Sequence, residues 1–241
     1  GAPHRHRLRL MAQTGARTHG MAGALVLASH PPAPELLWVP VAGRPLLAWS
    51  VAACEATPEV AETLLIVPED RLAEAQALVD SQGWARVRIL PAAQRLCDDV
   101  EAGLRALDPS LAWVVIHEAA RPLATPALFA AALDLAQHTD ANVITGGPVK
   151  ETVKRLRDGL VVETLPRERM ARAQTPYVFS RERLLAAHAS LSPEREFPDE
   201  ATLALAAGLP LRIVPGAPDN IRVASAADLA VVAALLAART A

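Results

Sequence analysis

Four short segments of the sequence carry polar or charged side chains directly after a predicted strand or hairpin: residues 29–34, 91–95, 117–122 and 173–176. In an open parallel sheet, ligands bind outside the carboxyl ends of the strands, where loops and helix N-termini supply backbone amides. Glu118 and Arg121 stand in the third segment. A carboxylate there can bind a cation or cap the following turn, and we expect Arg121 to pair with an acid beneath the loops.

The elements that must position these segments follow an alternating pattern. Apolar, β-branched runs predict strands at 23–28, 63–67, 87–90, 113–117, 142–145 and 211–214. Stretches rich in Ala and Leu with helical spacing predict helices at 46–56, 72–81, 100–107, 126–136, 199–207 and 226–238. Such alternation is typical of βαβ units, so we predict a single α/β domain with a mainly parallel sheet and helices on both faces.

The alternation breaks between residues 151 and 165, where two runs of strand-like residues flank Arg157, Asp158 and Gly159. An Asp-Gly pair between such runs is a strong signal for a β-hairpin. The hairpin has too few apolar positions to join the core, and a two-stranded ribbon is marginal by itself. We therefore predict a projecting arm over about 148–169 that packs on the second subunit of a homodimer.

The bulk composition excludes several classes of protein. A chain of 241 residues with 51% hydrophobic content can bury one well-formed core. The formal net charge of −2 leaves no excess of positive charge for a nucleic-acid backbone, so we expect no nucleic-acid partner. Every long apolar run is interrupted by a charge, a polar group or a proline, so we expect no membrane span.

Cysteine usage and the first twenty residues bear on the location of the protein. Cys54 and Cys97 lack the spacing of a zinc site or a disulfide framework, which favours a reduced, cytoplasmic protein. Residues 1–20 carry four arginines and three histidines but no apolar stretch long enough for a signal-peptide core. We expect them to form a disordered basic leader, with an interaction arm as the alternative.

Five motifs, in order and in register from about residue 24 to residue 229, resemble those of one family. Residues 117–122 resemble His-Asp-Ala-Ala-Arg-Pro, and residues 148–154 resemble Pro-Val-x-Asp-Thr-Val-Lys. Residues 174–179 resemble Gln-Thr-Pro-Gln-x-Phe, residues 198–201 resemble Thr-Asp-Asp-Ala, and residues 216–223 resemble Gly-x-x-x-Asn-Ile-Lys-Ile. Each motif alone is weak. Together they resemble the methylerythritol-phosphate cytidylyltransferases of isoprenoid biosynthesis, which are close to the ribitol-phosphate cytidylyltransferases.

The resemblance implies a Rossmann-like nucleotidyltransferase sheet of the glycosyltransferase-A kind. It also implies a reaction in which a sugar-alcohol phosphate attacks the α-phosphorus of CTP with Mg²⁺ and releases pyrophosphate. By this resemblance Glu118 is a catalytic residue and the metal carboxylate, and Arg222 takes the place of a catalytic lysine near the reacting phosphates. Thr152 and Arg167 hold the sugar phosphate in the neighbouring subunit. The implied nucleotide-binding positions are Ala28, Ser29, Ala92, Ala93, Asp99 and Ala119, the last against the cytidine.

The first loop departs from the family pattern. In the family it reads Ala-Ala-Gly-x-Gly-x-Arg with a Pro-Lys a few residues on, and its amides and cations hold the triphosphate. Residues 29–42 of this chain hold no glycine, lack the arginine and include Pro31, Pro32 and Pro34. Proline has no amide proton to donate, and Leu36 stands where we align the lysine. The sequence therefore predicts a poor triphosphate loop.

The base-recognition loop also departs from the pattern. Ala92 and Ala93 replace two glycines. Asp99 replaces a serine, which puts an acceptor-only carboxylate where a hydroxyl is expected. If the protein nevertheless turns over normally, Arg44 and Arg95 are the substitute cations that we expect.

Two hypotheses about function follow. The first is a weakly active cytidylyltransferase. The second is a catalytically inactive homologue that keeps the fold and the dimer and binds a phosphate ligand or a protein partner. Arg222 and Arg167 either bind anions or form surface ion pairs. We expect His30 and His117 to be hydrogen-bonded or solvated, and the four tryptophans to pack in the core or at an interface.

Overall fold

The computed structural model describes residues 21–192 and 195–240, and the predicted leader lies outside them. The strands are β1 (Ala22–Leu27), β2 (Pro40–Val41), β3 (Arg44–Pro45), β4 (Val60–Val67), β5 (Val87–Pro91), β6 (Trp113–Glu118), β7 (Asn142–Pro148), β8 (Lys154–Arg157), β9 (Leu160–Thr164), β10 (Ala171–Ser180) and β11 (Leu211–Pro215). The main sheet has seven strands in the order β11-β7-β10-β6-β1-β4-β5. Its neighbouring strands are parallel except where β10 pairs with β6 and β7, which confirms a mainly parallel α/β sheet.

Helices cover both faces of this sheet, as predicted. They are α1 (Leu46–Glu55), α2 (Leu72–Gln82), α3 (Leu96–Ala106), α4 (Pro126–Thr139), α5 (Arg181–Ser190), α6 (Glu200–Ala206) and α7 (Ala226–Thr240). Side chains alternate along β1, so Ala24 and Val26 join one core cluster while Leu25 and Leu27 join the other. The first cluster packs against α1, α2, α4 and α7, and the second against α3, α5 and α6. Each fully buried leucine contributes about 1.5–3 kcal/mol.

The predicted arm is present as β8 and β9, which pair only with each other in the described chain. Asp158 and Gly159 turn the chain with φ values of 51° and 79°, the positive angles that a tight hairpin turn requires. The arm strands lie outside the core, and the side chains of Leu156 and Leu160 are exposed. The first strand starts at Lys154, two residues later than the predicted run.

One predicted loop and one predicted helix start were wrong, and one helix was missed. The segment 173–176, which we expected to be a loop after the arm, lies inside β10. Its polar residues and Pro176 hide a strand that the neighbouring strands β6 and β7 stabilise, with a register shift between Gln174 and Tyr177. Helix α3 begins at Leu96, four residues before the predicted start. Helix α5 was missed, although Ser180 caps it by accepting a hydrogen bond from the Arg183 amide.

The remaining predictions about the core hold. Trp38, Trp49, Trp84 and Trp113 pack against the first core cluster. The long loop between β1 and α1 contains a short 3-10 turn (Pro34–Trp38) and the small β2-β3 hairpin. No helix among the described residues combines the length and the apolar character needed to cross a membrane.

Candidate functional site

A cavity of about 270 Å³ opens at the carboxyl edge of the sheet. Its charged lining includes Glu118 and Arg121 from the end of β6 and Arg222 from the segment between β11 and α7. His30 reaches it from the loop after β1, and Glu200 from the start of α6. The cavity lies where the parallel strands β1 and β6 end, which is the edge of the sheet where we expect a ligand to bind.

Glu118 lies between two guanidinium groups. Its Oε2 accepts a hydrogen bond of 2.6 Å from Arg121 Nε, and its Oε1 is 2.8 Å from Arg222 Nε. Exposure rises along this row, from 11% for the Arg121 side chain to 26% for Glu118 and 43% for Arg222. Arg121 pairs with an acid beneath the loops, as predicted. Arg222 is an exposed cation whose partner is a carboxylate that a phosphate could replace.

Buried amides hold the segment that carries Arg222. Gln174 donates to the carbonyl oxygen of Ala217 at 3.1 Å, and Asn220 donates to that of Thr175 at 2.8 Å. A side chain on Gly216 would collide with Gln174, since an added Cβ would lie 2.0 Å from its Oε1. The Arg121 guanidinium also donates to the carbonyl oxygen of Asn220 at 3.0 Å. The motif residues from β10 and the C-terminal segment therefore meet in space and position Arg222.

The end of β6 is held by a buried histidine and a threonine. The Thr175 hydroxyl accepts a hydrogen bond from the Glu118 amide and lies 3.0 Å from His117 Nδ1. His117 Nε2 faces the carbonyl oxygen of Arg121 at 3.3 Å. A carbonyl only accepts, so Nε2 carries the ring proton and Nδ1 accepts from Thr175. Burial lowers the pKa of His117 to about 3, which keeps the ring neutral, and the predicted hydrogen-bonded role is confirmed.

A second set of polar groups lines the same cavity. Asp199 caps α6 by accepting from the Thr202 amide at 2.8 Å, and its other oxygen accepts from the Tyr177 hydroxyl at 3.1 Å. Burial raises the pKa of the Tyr177 hydroxyl. Burial also raises the pKa of Glu200 to about 8, and the carboxylates of Asp199, Glu118 and Asp99 add to the rise. The sequence alone assigns no role to Tyr177 or Glu200, although both stand in the family-like motifs at 174–179 and 198–201.

The nucleotide-binding positions predicted by resemblance lie around the loops after β1 and β5. Asp99 is buried; it accepts a hydrogen bond from the Ala93 amide, and His30 Nε2 is 3.2 Å from its Oδ2. Ala92 is half-buried and Ala93 is exposed. Ser29 is half-buried, and its hydroxyl has no hydrogen-bond partner within the described chain. His30 is exposed and lies beside a buried acid, which agrees with the solvated alternative expected for it.

Two of the predicted nucleotide contacts are buried. Ala119 has 0% of its surface exposed, and its carbonyl oxygen accepts a hydrogen bond from Ser50 on α1. Ala119 does not line the cavity, whereas its neighbour Ala120 does, and the contact of Ala119 with a cytidine stays a prediction. Ala28 is 2% exposed and directly follows β1. Both alanines support the cavity from below.

Thr152 and Arg167 stand at the base of the arm, and neither lines the cavity of its own chain. Thr152 is exposed and precedes β8. Arg167 donates to the carbonyl oxygen of Lys150 at 2.6 Å and is half exposed. This placement agrees with a role in a neighbouring subunit, which the single chain does not test.

Arg44 and Arg95, the arginines predicted as substitute cations, are both engaged by other side chains. The Arg44 guanidinium stacks over the Trp49 ring at 3.7 Å and lines a different cavity beside α1 and α7. Arg95 pairs with Asp98 through hydrogen bonds of 2.5 and 2.7 Å. The Pro31 ring lines the main cavity where the family pattern has amide donors.

Among residues 21–192 and 195–240, no three His, Cys, Asp or Glu side chains form a metal-binding cluster. Mg²⁺ is commonly bound through one or two carboxylates together with substrate phosphates and water. Glu118 is one such carboxylate at the cavity surface, and it fits Mg²⁺ once a phosphate draws Arg222 away from its Oε1.

Comparison with known proteins decides the family. The family model described as 2-C-methyl-D-erythritol 4-phosphate cytidylyltransferase (IspD) matches residues 33–238. This chain belongs to that family. The cytidylyltransferase match covers the site residues from β6, the arm, β10 and the C-terminal segment, and it begins inside the loop that departs from the family pattern.

Individual cytidylyltransferase relatives agree with this assignment. The 2-C-methyl-D-erythritol 4-phosphate cytidylyltransferase of Cereibacter sphaeroides is 37% identical over 205 residues, which are 83% of this chain and 88% of the relative. The bifunctional enzyme IspD/IspF of Desulfotalea psychrophila is 33% identical over 189 residues, and the match spans 78% of this chain but only 48% of that longer protein. The crystal structure of 4-diphosphocytidyl-2C-methyl-D-erythritol synthase from Anaerococcus prevotii has a TM-score of 0.82, with 23% identity, and the match covers 90% of this chain and 96% of that one. This last similarity shows the same fold.

Proposed function

We propose that this protein transfers CMP from CTP to 2-C-methyl-D-erythritol 4-phosphate, and that it does so slowly. The observation that carries this proposal is the row of Arg121, Glu118 and Arg222 in the cavity at the end of β6, in a chain of the cytidylyltransferase family. In the reaction, an oxygen of the sugar-alcohol phosphate forms a bond to the α-phosphorus of CTP. The bond from that phosphorus to the β-phosphate bridging oxygen breaks, and pyrophosphate leaves.

Such a transfer depends on positioning and on charge neutralisation more than on covalent catalysis. Arg222 is exposed enough to turn from Glu118 to the reacting phosphates, and a guanidinium fork suits phosphate oxygens. Its departure leaves Glu118 free to hold Mg²⁺. When bound, Mg²⁺ supplies positive charge next to the phosphates. Arg121, tied to the carbonyl oxygen of Asn220, keeps the end of the strand in place.

The nucleotide side supports a slow reaction. The loop after β1 presents Pro31 and His30 to the cavity, and Arg44 and Arg95 are engaged elsewhere. Asp99 offers acceptors where a hydroxyl donor is expected by resemblance, which weakens selection of cytosine. We expect both CTP affinity and turnover to suffer.

We further propose a homodimer in which the arm of one subunit brings Thr152 and Arg167 to the sugar phosphate of the other. The exposed apolar side chains of the arm support it, with Leu160 at 71% and Val161 at 61% exposure on strands that pair only with each other. Light scattering at micromolar concentration should give twice the chain mass of 25.5 kDa. A monomer would remove both the dimer and the two-chain site.

The second candidate is a catalytically inactive homologue that keeps the phosphate-binding side. The proline-bearing loop favours it, because the loop cannot donate amides at Pro31 and Pro32. Incubation with α-labelled CTP, Mg²⁺ and methylerythritol phosphate separates the two candidates. The labelled diphosphocytidyl product at a rate above the protein-free control supports the enzyme, whereas binding of the sugar phosphate without any product supports the inactive homologue.

We propose a cytoplasmic location. Cys54 and Cys97 are both free, which suits a reducing compartment. Finding the tagged protein in a secreted or membrane fraction of its host would contradict this.

A further inference from the structure

The cavity is lined by two groups of different chemistry. The first, the arginine cluster, consists of Arg121 and Arg222 with Glu118 between them. The second, the acidic cluster, consists of Asp199, Glu200 and Tyr177. The function proposed above uses the arginine cluster and assigns no role to the acidic cluster.

Within the acidic cluster, Glu200 is the residue whose carboxyl oxygens do not all have hydrogen-bond partners in the described chain. Asp199 accepts from the Tyr177 hydroxyl with one oxygen and from Thr202 with the other. Glu200, the first residue of α6, is 2% exposed and lines the cavity, and its Oε1 has no hydrogen-bond partner within the described chain. A buried polar oxygen left without a partner is costly and therefore rare in native proteins. A ligand in the cavity would supply the missing partner.

Glu200 is neutral near neutral pH. Burial raises its pKa to about 8, and no cation within residues 21–192 and 195–240 forms an ion pair with it. The ionisable groups that face it come from four elements: Asp199 from its own helix cap, Cys97 and Asp99 from α3, Glu118 from β6, and Tyr177 from β10. The nearby carboxylates oppose a second negative charge, so a proton stays on Glu200. A carboxyl kept neutral by its surroundings can donate a hydrogen bond as well as accept one.

We propose that Glu200 binds a hydroxyl of the sugar-alcohol phosphate whose phosphate lies against Arg222. This inference rests on the proposed function for the identity of the ligand. A hydroxyl both donates and accepts, so it fits a neutral carboxyl, whereas a phosphate is repelled by the surrounding carboxylates. A polyol phosphate carries both a phosphate and hydroxyls, which matches a cavity with arginines in one cluster and carboxyl side chains in the other. Glu200 is then a specificity residue that reads the hydroxylated part of the acceptor.

Calorimetric titration of methylerythritol phosphate into the whole protein tests this. Measurements from pH 7.5 to 9.5 avoid the second ionisation of the phosphate, whose pKa is about 6. Wild-type affinity should fall as pH rises through about 8, the pKa of Glu200. Above pH 8 binding should take up a proton, detected by comparing buffers with different ionisation enthalpies. Glu200→Gln should retain the affinity at pH 7.5 within about threefold and lose both the pH dependence and the proton uptake.

Glu200→Ala should weaken binding about tenfold at pH 7.5, since the hydrogen bond is lost without replacement. Glu182→Gln, an exposed change on α5 outside the cavity, is the matched control and should behave as the wild type. Thermal melting shows that each variant is folded. Wild-type binding with unchanged affinity and proton uptake in both Glu200 variants would overturn the role of Glu200 and leave the proposed function standing. No binding by the wild type at any pH would overturn both.

Discussion

Two segments that meet the same cavity are held in very different ways. Residues 216–223 are tied to β10 by the buried amides of Gln174 and Asn220, which bond backbone oxygens of the neighbouring segments. Residues 29–43 rest on apolar packing through Leu37 and Ala33, and present His30 and a proline ring to the cavity. The first segment keeps Arg222, the proposed phosphate-binding cation, in place, whereas the second presents few groups that could bind a triphosphate.

This difference separates the two halves of the proposed reaction. The proposed acceptor side has Arg222 and the hydrogen bonds that position it, whereas the proposed nucleotide side has prolines where the family pattern has amide donors and cations. A segment held by buried side-chain hydrogen bonds tolerates few changes, because each loss leaves a buried group without a partner. We therefore expect substitutions to be tolerated better in the loop after β1 than in residues 216–223.

The largest expected effect is on the overall rate. Pyrophosphate release from CTP and methylerythritol phosphate should be several powers of ten slower than in the Cereibacter sphaeroides relative. Loss of one preorganised donor typically costs about 10²–10³ in rate, and at least two cations and several amides are absent, although such losses are not strictly additive. A coupled pyrophosphate assay with Mg²⁺, run on both proteins, measures this. A rate within tenfold would break the comparison between the two segments.

Removal of Arg222 should have the next largest effect. Arg222→Ala should lower kcat/KM by about 10²–10³, roughly 3–4 kcal/mol, because the reacting phosphates lose their remaining mobile cation. The kcat/KM of Arg222→Lys should stay within tenfold of the wild-type value, since the family motif that residues 216–223 resemble has lysine at this position. Arg212→Ala, an exposed change on β11, is the matched control. Equal rates for the Ala and Lys variants would assign Arg222 to a surface ion pair.

Glu200 makes the stability of the protein depend on pH. Its pKa rises from 4.5 to about 8 on folding, so the folded state binds an extra proton between these values. The free energy of unfolding must therefore fall as pH rises through this range and level off above about pH 8. Glu200→Gln should remove this fall and exceed the wild type at pH 9 by roughly 5 kcal/mol, the free-energy equivalent of the pKa shift. Urea unfolding at pH 5, 7 and 9 measures it, and parallel curves for both proteins would contradict the neutral state of Glu200.

The smallest effect sharpens the structural contrast between the two segments. Asn220→Ala should lower the free energy of unfolding by about 2 kcal/mol, because the Thr175 carbonyl oxygen loses its buried donor. Pro32→Ala, in the exposed part of the loop after β1, should change it by less than about 0.5 kcal/mol. Urea unfolding compares the two variants directly. If the loop variant were the more damaging, the loop would be the constrained segment.

Local pattern was enough for most of the fold and for the family. Apolar runs of strand length and Ala/Leu stretches with helical spacing predicted the order of βαβ units, and Asp158-Gly159 predicted the arm, because periodicity and turn chemistry act between residues close in the chain. The same pattern failed at β10, where polar residues and Pro176 look like a loop. There the strand is stabilised by two partners far away in the sequence.

The site depended on tertiary structure. Glu118 was expected to bind a cation or cap the following turn, and the sequence did not predict that Arg222, more than a hundred residues away, pairs with it. Asn220 and Gln174 hold the segment of Arg222 in place. The fold buries Ala119 beneath the cavity. Burial also raises the pKa of Glu200, which keeps it protonated. Whether a side chain is buried, paired or charged depends on neighbours that the chain brings together only when it folds. For this reason the residue types of the site could be read from the sequence, and their roles could not.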